Sequence, residues 1–338
     1  MKEPFAFADA RLRFARALSP RSAIELVGQS SAASRVEELV RRAAVLDGGV
    51  LIAAEPGVAT DGVAYELHLR SRRAAGPYIT VECSSVDGSR IDRLMFGTPA
   101  AQGPTDLESV AADSRVAAAC GGTLYLKDVA ELPAAVQAKL ARIARDGEVR
   151  IDGVPVALGW RIVCSAAPSI EADVETHRLR PDLFRRIAAA RIDLPPLRER
   201  PEDVPAMAMR LLGEIAEETG PPRTLTNAAV ALLSALTWPG NVDELRRVLE
   251  RVAAATRDDV IQVEHLLPAL RLHAVPAPFT PNGSLREARL RFEREYIASV
   301  LQHHGWRMAE AAQTLGIQRP NLYRKARQLG IPLARVAE

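Results

Sequence analysis

The chain has 338 residues, of which 48% are hydrophobic and 25% are charged, a composition typical of folded water-soluble proteins and not of disordered ones. No apolar run approaches the roughly 18 residues of a membrane span, so we expect no membrane partner. The 44 basic residues exceed the 42 acidic ones by only two, which excludes a chain that is polycationic as a whole. The three cysteines are widely spaced, which excludes a disulfide framework and indicates the reducing cytoplasm.

Residues 1–24 mix apolar, basic and acidic side chains and are predicted to be a short leader. Beyond them, apolar strand-length runs at 49–54, 78–82, 122–126 and 161–165 alternate with helical patterns at 34–46, 62–73 and 133–145. Strands of near-continuous apolar residues separated by helices predict a parallel sheet covered on both faces. The fold class predicted for residues 25–196 is therefore α/β.

After Pro195-Pro196 the pattern becomes wholly helical. Helices are predicted at 201–219, 226–236 and 242–255, within a small helical lid that spans residues 197–272. Residues 273–283 contain three prolines and one glycine and are predicted to be an extended linker. One long helix at 284–303 and two short helices are predicted in the last segment, residues 284–338.

The C-terminal segment concentrates positive charge, with six bases and one acid between residues 307 and 335. Its spacing predicts a helix-turn-helix, with small Ala311 and Ala312 at the helix crossing and Pro320 in the first turn of the last helix. Such a helix reads base edges and phosphates in the major groove of double-stranded DNA. The predicted DNA-contacting residues are Arg307, Gln318, Arg319, Asn321, Tyr323, Arg324 and Lys325. The alternative is a helical bundle used only for dimerisation.

Several motifs resemble those of one protein family. They are Val-Gly-Gln-Ser at 27–30, Gly-Gly-Thr-Leu-Tyr-Leu at 121–126, Leu-Pro-Pro-Leu-Arg-Glu-Arg at 194–200 and Trp-Pro-Gly-Asn-Val at 238–242. With these motifs, residues 26–270 resemble the AAA+ domain of sigma-54-dependent activators, the bacterial enhancer-binding proteins, and the C-terminal segment resembles their Fis-type helix-turn-helix. The resemblance implies an AAA+ fold with a helical lid, ring assembly, ATP hydrolysis, and dimerisation through the long helix at 284–303.

The segment that resembles the family's phosphate loop departs from the family pattern. The family has Gly-Glu-Ser-Gly-Thr-Gly-Lys-Glu, and this chain has Ala-Glu-Pro-Gly-Val-Ala-Thr-Asp at 54–61. Thr60 therefore stands where the family has the lysine that neutralises the β- and γ-phosphates. No lysine lies between Lys2 and Lys127, so no shift of register restores it. The residues left for nucleotide binding are Gly57, Thr60 and Asp61.

Three further positions that the resemblance assigns to phosphate, water or metal contacts are changed. The family strand ends in Asp-Glu, which hold Mg²⁺ and orient water, whereas this chain has Lys127-Asp128. The polar pair expected after the strand at 161–165 is Ala166-Ala167, and the arginine expected after Trp-Pro-Gly-Asn-Val is Asp243. We therefore predict no catalytic residues, no bound metal and no cofactor, with binding of ATP and Mg²⁺ weak or absent. The alternative is that Lys127 replaces the missing charge and Asp128 binds the metal.

Two other segments bear on partners. After Phe96-Gly97 the chain lacks the Gly-Ala-Phe-Thr-Gly-Ala segment that contacts sigma-54 in the family, so conventional activation is not expected. Arg180 and Arg186 occupy positions that resemble the family's arginine fingers, which act on the nucleotide of a neighbouring subunit. Their alternative interpretation is as surface arginines that pair with Asp182 or Glu199.

These observations lead to three functional hypotheses. The first is a cytoplasmic DNA-binding transcription regulator, a pseudo-ATPase whose AAA+ domain has lost ATP hydrolysis and sigma-54 remodelling and serves as an oligomerisation scaffold. The second is a conventional ATP-dependent sigma-54 activator with an unusual site. The third is a co-regulator that joins an intact enhancer-binding protein and modulates it.

Overall fold

The computed structural model of the chain describes residues 23–84, 88–98, 107–256, 258–271, 297, 301, 306–314 and 319–329. The chain divides into two compact units, Met1–His273 and Ala274–Glu338. The α/β sheet and the helical lid belong to the first unit, and the helix-turn-helix belongs to the second. None of the helices in the described ranges is long and apolar enough to cross a lipid bilayer.

Three sheets are described in the first unit. Their strands are β1 (Val50–Ala53), β2 (Tyr78–Glu82), β3 (Ser109–Val110), β4 (Thr123–Lys127), β5 (Glu148–Ile151), β6 (Val154–Ala157), β7 (Arg161–Ala166), β8 (Ala190–Asp193), β9 (Thr224–Leu225) and β10 (Val260–Ile261). The central sheet is parallel in the order β2-β4-β7-β1-β8, a smaller sheet has the order β3-β5-β6, and β9 pairs with β10. Successive residues of β1 face opposite sides, because Leu51 joins the core on one face and Ile52 the core on the other.

Helices cover both faces of the central sheet. They are α1 (Ser31–Ala44), α2 (Thr60–Leu69), α3 (Gly88–Phe96), α4 (Arg115–Ala118), α5 (Ala134–Asp146), α6 (Ile170–Glu175) and α7 (Pro181–Ile187). Apolar residues of α1 and α2 pack on one face, and those of α3, α5 and α7 pack on the other. The predicted fold class, a parallel α/β sheet covered by helices, is confirmed.

The helical lid has a hydrophobic core of its own. Its helices are α8 (Val204–Thr219), α9 (Asn227–Ala235), α10 (Asn241–Ala255) and α11 (Val263–Arg271). Trp238 is buried in this core, and its indole N–H donates to the carbonyl oxygen of Leu233 at 2.8 Å. The side chain of Thr226 accepts a hydrogen bond from the N–H of Ala229, so Thr226 is the N-cap of α9.

Several element boundaries differ from the prediction; helix α1, for example, begins at Ser31, three residues earlier than predicted, and ends at Ala44. Helix α2 begins at Thr60, two residues earlier than predicted, and ends at Leu69. Helix α8 begins at Val204, because residues 201–203 form a separate 3₁₀ turn. Ile24 is buried in the core of the lid, so the folded body includes the last residue of the predicted leader. Residues 1–22 of that leader lie outside the described residues.

The second unit contains two short helices, α12 (Met308–Thr314) and α13 (Arg319–Gln328). Ala311 and Ala312 of α12 and Leu322 and Ala326 of α13 are buried together, as a helix-turn-helix spacing requires. The predicted linker at 273–283 lies outside the described residues. Of the predicted long helix at 284–303, only residues 297 and 301 are described, and both are helical and buried.

Candidate functional site

A cleft of about 500 Å³ lies at the carboxyl ends of β1, β4 and β7, where an open α/β sheet binds its ligands. We call it the carboxyl-edge cleft. Gly57, Thr60, Lys127, Asp128, Ala166, Ala167 and Asp243 all line it. The fold therefore brings together the residues that the sequence assigns to phosphate and metal contacts.

The loop that follows β1 is in close contact with the lid. Gly57 has φ +83°, and a Cβ atom there would lie 2.2 Å from the carbonyl oxygen of Gly240, so only glycine is accommodated. The Gly57 carbonyl accepts a hydrogen bond from the N–H of Asp243 at 3.0 Å. The sequence predicts that Thr60 and Asp61 belong to this loop, but both residues lie in the first turn of α2. The loop proper is residues 54–59.

The last backbone N–H group of this loop is bonded inside the protein. The N–H of Ala59 donates to Oε1 of Glu25 at 2.7 Å. Glu25 is buried and forms an ion pair with Arg200, which is also buried and donates to the Glu25 carbonyl oxygen at 2.8 Å. Burial lowers the pKa of Arg200 to about 10, and the charge of Asp203 opposes that shift. The Glu25 carboxylate thus already accepts the hydrogen bond that this N–H group would donate to a ligand in a phosphate loop.

The side chain of Thr60 is directed into the sheet. Its hydroxyl lies 2.8 Å from the hydroxyl of Tyr125 on β4, and both residues are buried. Burial raises the pKa of Tyr125 well above its usual value, so the phenol stays protonated at neutral pH. Thr60 therefore contributes to packing between α2 and β4.

Lys127 at the end of β4 is paired with the first turn of α2. Its Nζ lies 3.1 Å from Oδ2 of Asp61, and both side chains are partly buried. Burial alone would lower the pKa of Lys127, but the attraction and hydrogen bond of Asp61 outweigh it, and the pKa is raised. The lysine is therefore charged and its charge is matched by a neighbouring carboxylate.

Asp128 follows in a left-handed conformation, with φ +57°. Its N–H donates to Oγ of Ser165 at 3.1 Å, and its carboxylate accepts from Oγ of Ser84 at 3.4 Å. Burial raises the pKa of Asp128, Lys127 and Ser84 act in the opposite direction, and the acidic neighbours Glu82 and Glu131 reinforce the rise. The environment thus makes this carboxyl a weaker acid than an exposed aspartate.

Further polar contacts fasten the lid to the loop. The Asn241 side chain donates to the Pro56 carbonyl and accepts from the N–H of Leu197, both at 2.9 Å. The Arg198 guanidinium binds the Glu55 carboxylate with two hydrogen bonds of 2.7 Å. Because buried backbone groups without partners are costly, Asn241 couples the loop and the lid in one arrangement.

The charged groups around the carboxyl-edge cleft are mainly acidic. Five carboxylates line it against two cations, which are Lys127 and Arg178. Arg178 is itself paired with Glu131 and with Asp173. A lining of this kind attracts cations more than it attracts the phosphates of a nucleotide.

Neither of the two arginines that resemble fingers lines this cleft. Arg180 pairs with Asp182 at 2.8 Å, which is one of the pairings expected for a surface arginine. The hydrogen bond to Asp182 raises the pKa of Arg180 and lowers that of Asp182. Arg186 is exposed, and its Nη1 lies 3.5 Å from the carbonyl oxygen of Ala144.

In the second unit, α13 presents a polar surface. Arg319, Asn321 and Arg324 are exposed, and Tyr323 and Lys325 are half-buried. Arg324 donates to the side-chain oxygen of Asn321 at 3.3 Å. Arg307, just before α12, is exposed and pairs with Glu310 at 2.9 Å. Gln318 lies outside the described residues.

The sequence interpretation missed the residues that connect the loop to the lid. They are Glu25, Glu55, Arg198, Arg200 and Asn241. The two family motifs at 194–200 and 238–242 contain three of them, so the motifs themselves were the available signal. Glu25 has no such signal, because its contact with Ala59 spans 34 residues of sequence.

Comparison with known proteins agrees with this architecture. Residues 26–193 match the model of the sigma-54 interaction domain, residues 198–278 match the AAA+ ATPase lid domain, and residues 289–329 match the bacterial regulatory protein, Fis family. These three matches follow the order of the sheet, the lid and the helix-turn-helix along the chain.

Similar proteins cover most of this chain. The Nif-specific regulatory protein of Azotobacter vinelandii is 32% identical over 92% of the chain, which spans only 60% of that protein's length. The alginate biosynthesis regulator AlgB of Pseudomonas aeruginosa is 33% identical over 90% of the chain, which spans 68% of its length. The crystal structure of NtrX from Brucella abortus in complex with ATP matches with a TM-score of 0.64 at 31% sequence identity. The match covers 90% of this chain and 69% of the NtrX chain. The chain therefore belongs to the family of sigma-54-dependent transcriptional regulators, with an AAA+ sigma-54 interaction domain, an AAA+ lid and a Fis-type helix-turn-helix.

Proposed function

We propose that the chain is a DNA-binding transcription regulator whose AAA+ domain does not hydrolyse ATP and serves as a scaffold for self-association. The observation that carries the proposal is the ion pair between Lys127 and Asp61 in the carboxyl-edge cleft. It places an ammonium group where the family resemblance puts a metal-binding carboxylate. A cation in that position repels Mg²⁺, and without the metal the β- and γ-phosphates lose their main partner.

The charge of the cleft supports the same conclusion. A bound triphosphate would bring its negative charges next to Asp128 and Asp243, whereas Glu55 is already paired with Arg198. The only lysine in the lining is already matched by Asp61, so it has little attraction left for a phosphate. Mg-ATP therefore does not fit the residues that line this cleft.

The hydrogen bonding of the loop is the second line of support. Phosphate loops bind through backbone N–H groups that point at the ligand. In this chain the N–H of Ala59 is bonded to Glu25, and the Gly57 carbonyl and the Pro56 carbonyl are bonded to the lid. A nucleotide would have to displace a buried carboxylate and separate contacts that hold the lid in place.

Helix α13 supports the DNA-binding part of the proposal. Its buried Leu322 and Ala326 fix the helix against α12, and its Arg319 and Arg324 are exposed. Arginine and asparagine side chains on such a helix suit phosphates and base edges in the major groove. Double-stranded DNA and a second copy of this chain are the expected partners.

Phosphate release from Mg-ATP by the purified full chain tests the proposal. We expect the wild-type rate to equal that of a Lys127→Ala variant, and both to equal the buffer. Turnover by the wild type above the Lys127→Ala variant would contradict the proposal and support a conventional ATP-dependent activator. Light scattering on the same samples tests self-association, and a chain that stays monomeric at all concentrations would contradict the scaffold role.

A co-regulator role is favoured by one specific observation. Arg186 is exposed and has no carboxylate within ion-pair distance in the part of the chain that the structure describes. Such an arginine is free to act on the nucleotide of an intact family member in a mixed ring. Mixing the two proteins tests this role: an unchanged ATPase rate and separate elution on a sizing column would contradict it.

A further inference from the structure

A second depression lies at the opposite edge of the central sheet. It has a volume of about 660 Å³ and opens where β1 and β7 begin, between the last turn of α5 and helix α7. We call it the amino-edge groove. Its charged and aromatic lining includes Arg142, Arg145, Trp160, Arg161, Arg185 and Arg186. The charge of this groove is therefore opposite to that of the carboxyl-edge cleft.

The carboxylates of the groove do not neutralise its arginines. Only Asp47 and Asp182 contribute acidic side chains to the lining. Asp47 pairs with Arg73 at 2.8 Å and Asp182 pairs with Arg180 at 2.8 Å, and neither of these arginines lines the groove. Both acids thus have their ion pairs with cations outside the groove, although Asp47 also attracts Arg161, and five arginines against two aspartates leave the lining with a net positive charge.

Apart from Arg161, the arginines of the groove fall into two kinds. Arg142 is paired with Glu108, and Arg145 is paired with Asp146 at 2.7 Å. Arg185 and Arg186 are exposed on α7, and within the described ranges no carboxylate lies at ion-pair distance from either of them. These two neighbouring guanidinium groups are therefore available to an incoming anion.

Arg161 forms the buried part of the groove. Its guanidinium is almost fully buried and donates to the carbonyl oxygens of Ala44 at 3.1 Å and of Gly48 at 3.2 Å. Burial lowers the pKa of Arg161 to about 10, the positive charge of Arg73 adds to the decrease, and the negative charge of Asp47 opposes it. A negative ligand near this group would relieve an electrostatic cost that the folded chain already bears.

Trp160 supplies an aromatic surface beside these charges. It is half-buried and packs against the main core of the sheet, so its ring is held in place. Flat heterocycles such as nucleobases stack on surfaces of this kind, and phosphates bind arginine pairs.

We propose that the amino-edge groove of a single chain binds a small phosphate compound with two or more negative charges, held by Arg185 and Arg186. The site lies across the sheet from the carboxyl-edge cleft and uses none of its residues. The volume of the groove accommodates a ligand up to the size of a nucleotide.

Calorimetric titration of the full chain with pyrophosphate, without magnesium, tests this proposal. We expect one ligand per chain, and an affinity that falls about tenfold in an Arg185→Ala/Arg186→Ala variant. The matched control is Arg41→Ala/Arg42→Ala, which removes the same charge from α1, where both arginines pair with Glu38. An equal loss of affinity in the two double variants would overturn the proposal, because the binding would then reflect overall charge alone.

Three further arms locate the site and identify its ligand. Lys127→Ala and Arg324→Ala should leave the affinity unchanged, and a loss in either would place the anion in the carboxyl-edge cleft or on α13 and overturn the proposal. Binding seen only where the chain self-associates would also overturn it. The last arm compares a nucleoside triphosphate with tripolyphosphate. Tighter binding of the nucleoside triphosphate, with quenching of tryptophan fluorescence in the wild type but not in Trp160→Phe, would identify the ligand as a nucleotide. Equal affinity would identify the phosphate group alone, and both results support the site. Because hydrolysis is not measured, an amino-edge groove that binds no phosphate compound would leave the pseudo-ATPase proposal standing.

Discussion

The carboxyl-edge cleft and helix α13 contain charged residues of similar kinds, but these residues have different partners. In the cleft, Lys127 is matched by Asp61 and the loop is bonded to Glu25 and Asn241. On α13, Arg319 and Arg324 are exposed at the surface. Groups that are satisfied within the chain stabilise the fold, whereas groups left at the surface are available for binding. This difference supports the proposal that the regulator binds DNA through α13 and that its carboxyl-edge cleft has a structural role.

The largest expected effect concerns the structural role of the carboxyl-edge cleft and is tested at the buried ion pair between Arg200 and Glu25. We expect Arg200→Met to lower the free energy of unfolding by about 3–5 kcal/mol, because it leaves the Glu25 carboxylate buried without its cation. The matched control is Arg198→Met, two residues away, whose pair with Glu55 is exposed and should cost less than about 1 kcal/mol. Urea unfolding measures both, and equal losses would contradict the role given to Glu25.

The contact between lid and loop predicts the next largest effect. Asn241→Ala should cost about 1–3 kcal/mol, since it leaves the Pro56 carbonyl and the Leu197 N–H without partners. Thermal unfolding checks this loss. Asn321→Ala is the control on α13, where the side chain is exposed and no measurable change is expected. A stable Asn241→Ala variant would mean that the lid is not fastened to the loop.

On helix α13, a substitution should weaken DNA binding and not the stability of the fold. Arg324→Ala is expected to leave stability unchanged and to weaken DNA binding by about tenfold, because an exposed phosphate contact is lost. The slope of log affinity against log salt should decrease by about one unit. A gel-shift series over several salt concentrations measures both quantities, and an unaltered slope would exclude Arg324 from the phosphate contacts.

The smallest predicted effect is on the pH dependence of stability, to which Asp128 and Asp182 contribute with opposite signs. Burial raises the pKa of Asp128, so its stabilising effect is present below its usual pKa and lost as the pH rises through the raised one. The hydrogen bond from Arg180 lowers the pKa of Asp182, so its effect is present above its usual pKa and lost as the pH falls.

The two asparagine variants should therefore differ in opposite directions from the wild type. At neutral pH, Asp128→Asn should be more stable and Asp182→Asn slightly less stable. At about pH 3 the difference at Asp128 should vanish, because that carboxyl is then protonated, whereas the difference at Asp182 should only become smaller, because its pKa is lowered. Unfolding midpoints at the two pH values check the signs. A destabilised Asp128→Asn protein at neutral pH would show that the ionised carboxylate is needed in the cleft.

Much of the fold follows from local patterns. Strands β1 and β7 were predictable because their residues are all buried and apolar runs mark such strands. Strand β8 was not predicted, because Arg191 and Asp193 lie beside its single fully buried residue, Ile192. A short strand at the edge of a sheet carries too little hydrophobic pattern to be recognised alone.

The cleft was predictable in its residues but not in its contacts. The family resemblance identifies Thr60, Lys127 and Asp243 as the altered positions, and the fold brings them to one place. The pairing of Lys127 with Asp61 depends on how the end of β4 meets the start of α2, which only the three-dimensional arrangement defines. The same holds for Glu25, whose buried carboxylate reaches the loop from another part of the chain.

We propose that the carboxyl-edge cleft does not hold Mg-ATP. A crystal of the full chain soaked with ATP and magnesium shows whether the cleft binds the nucleotide. We expect Lys127 to remain paired with Asp61, Glu25 to remain bonded to the N–H of Ala59, and no triphosphate between Gly57 and Asp128. A nucleotide in the amino-edge groove would be compatible with the account. An ordered triphosphate with magnesium beside Asp128, with the Lys127 pair opened, would contradict it.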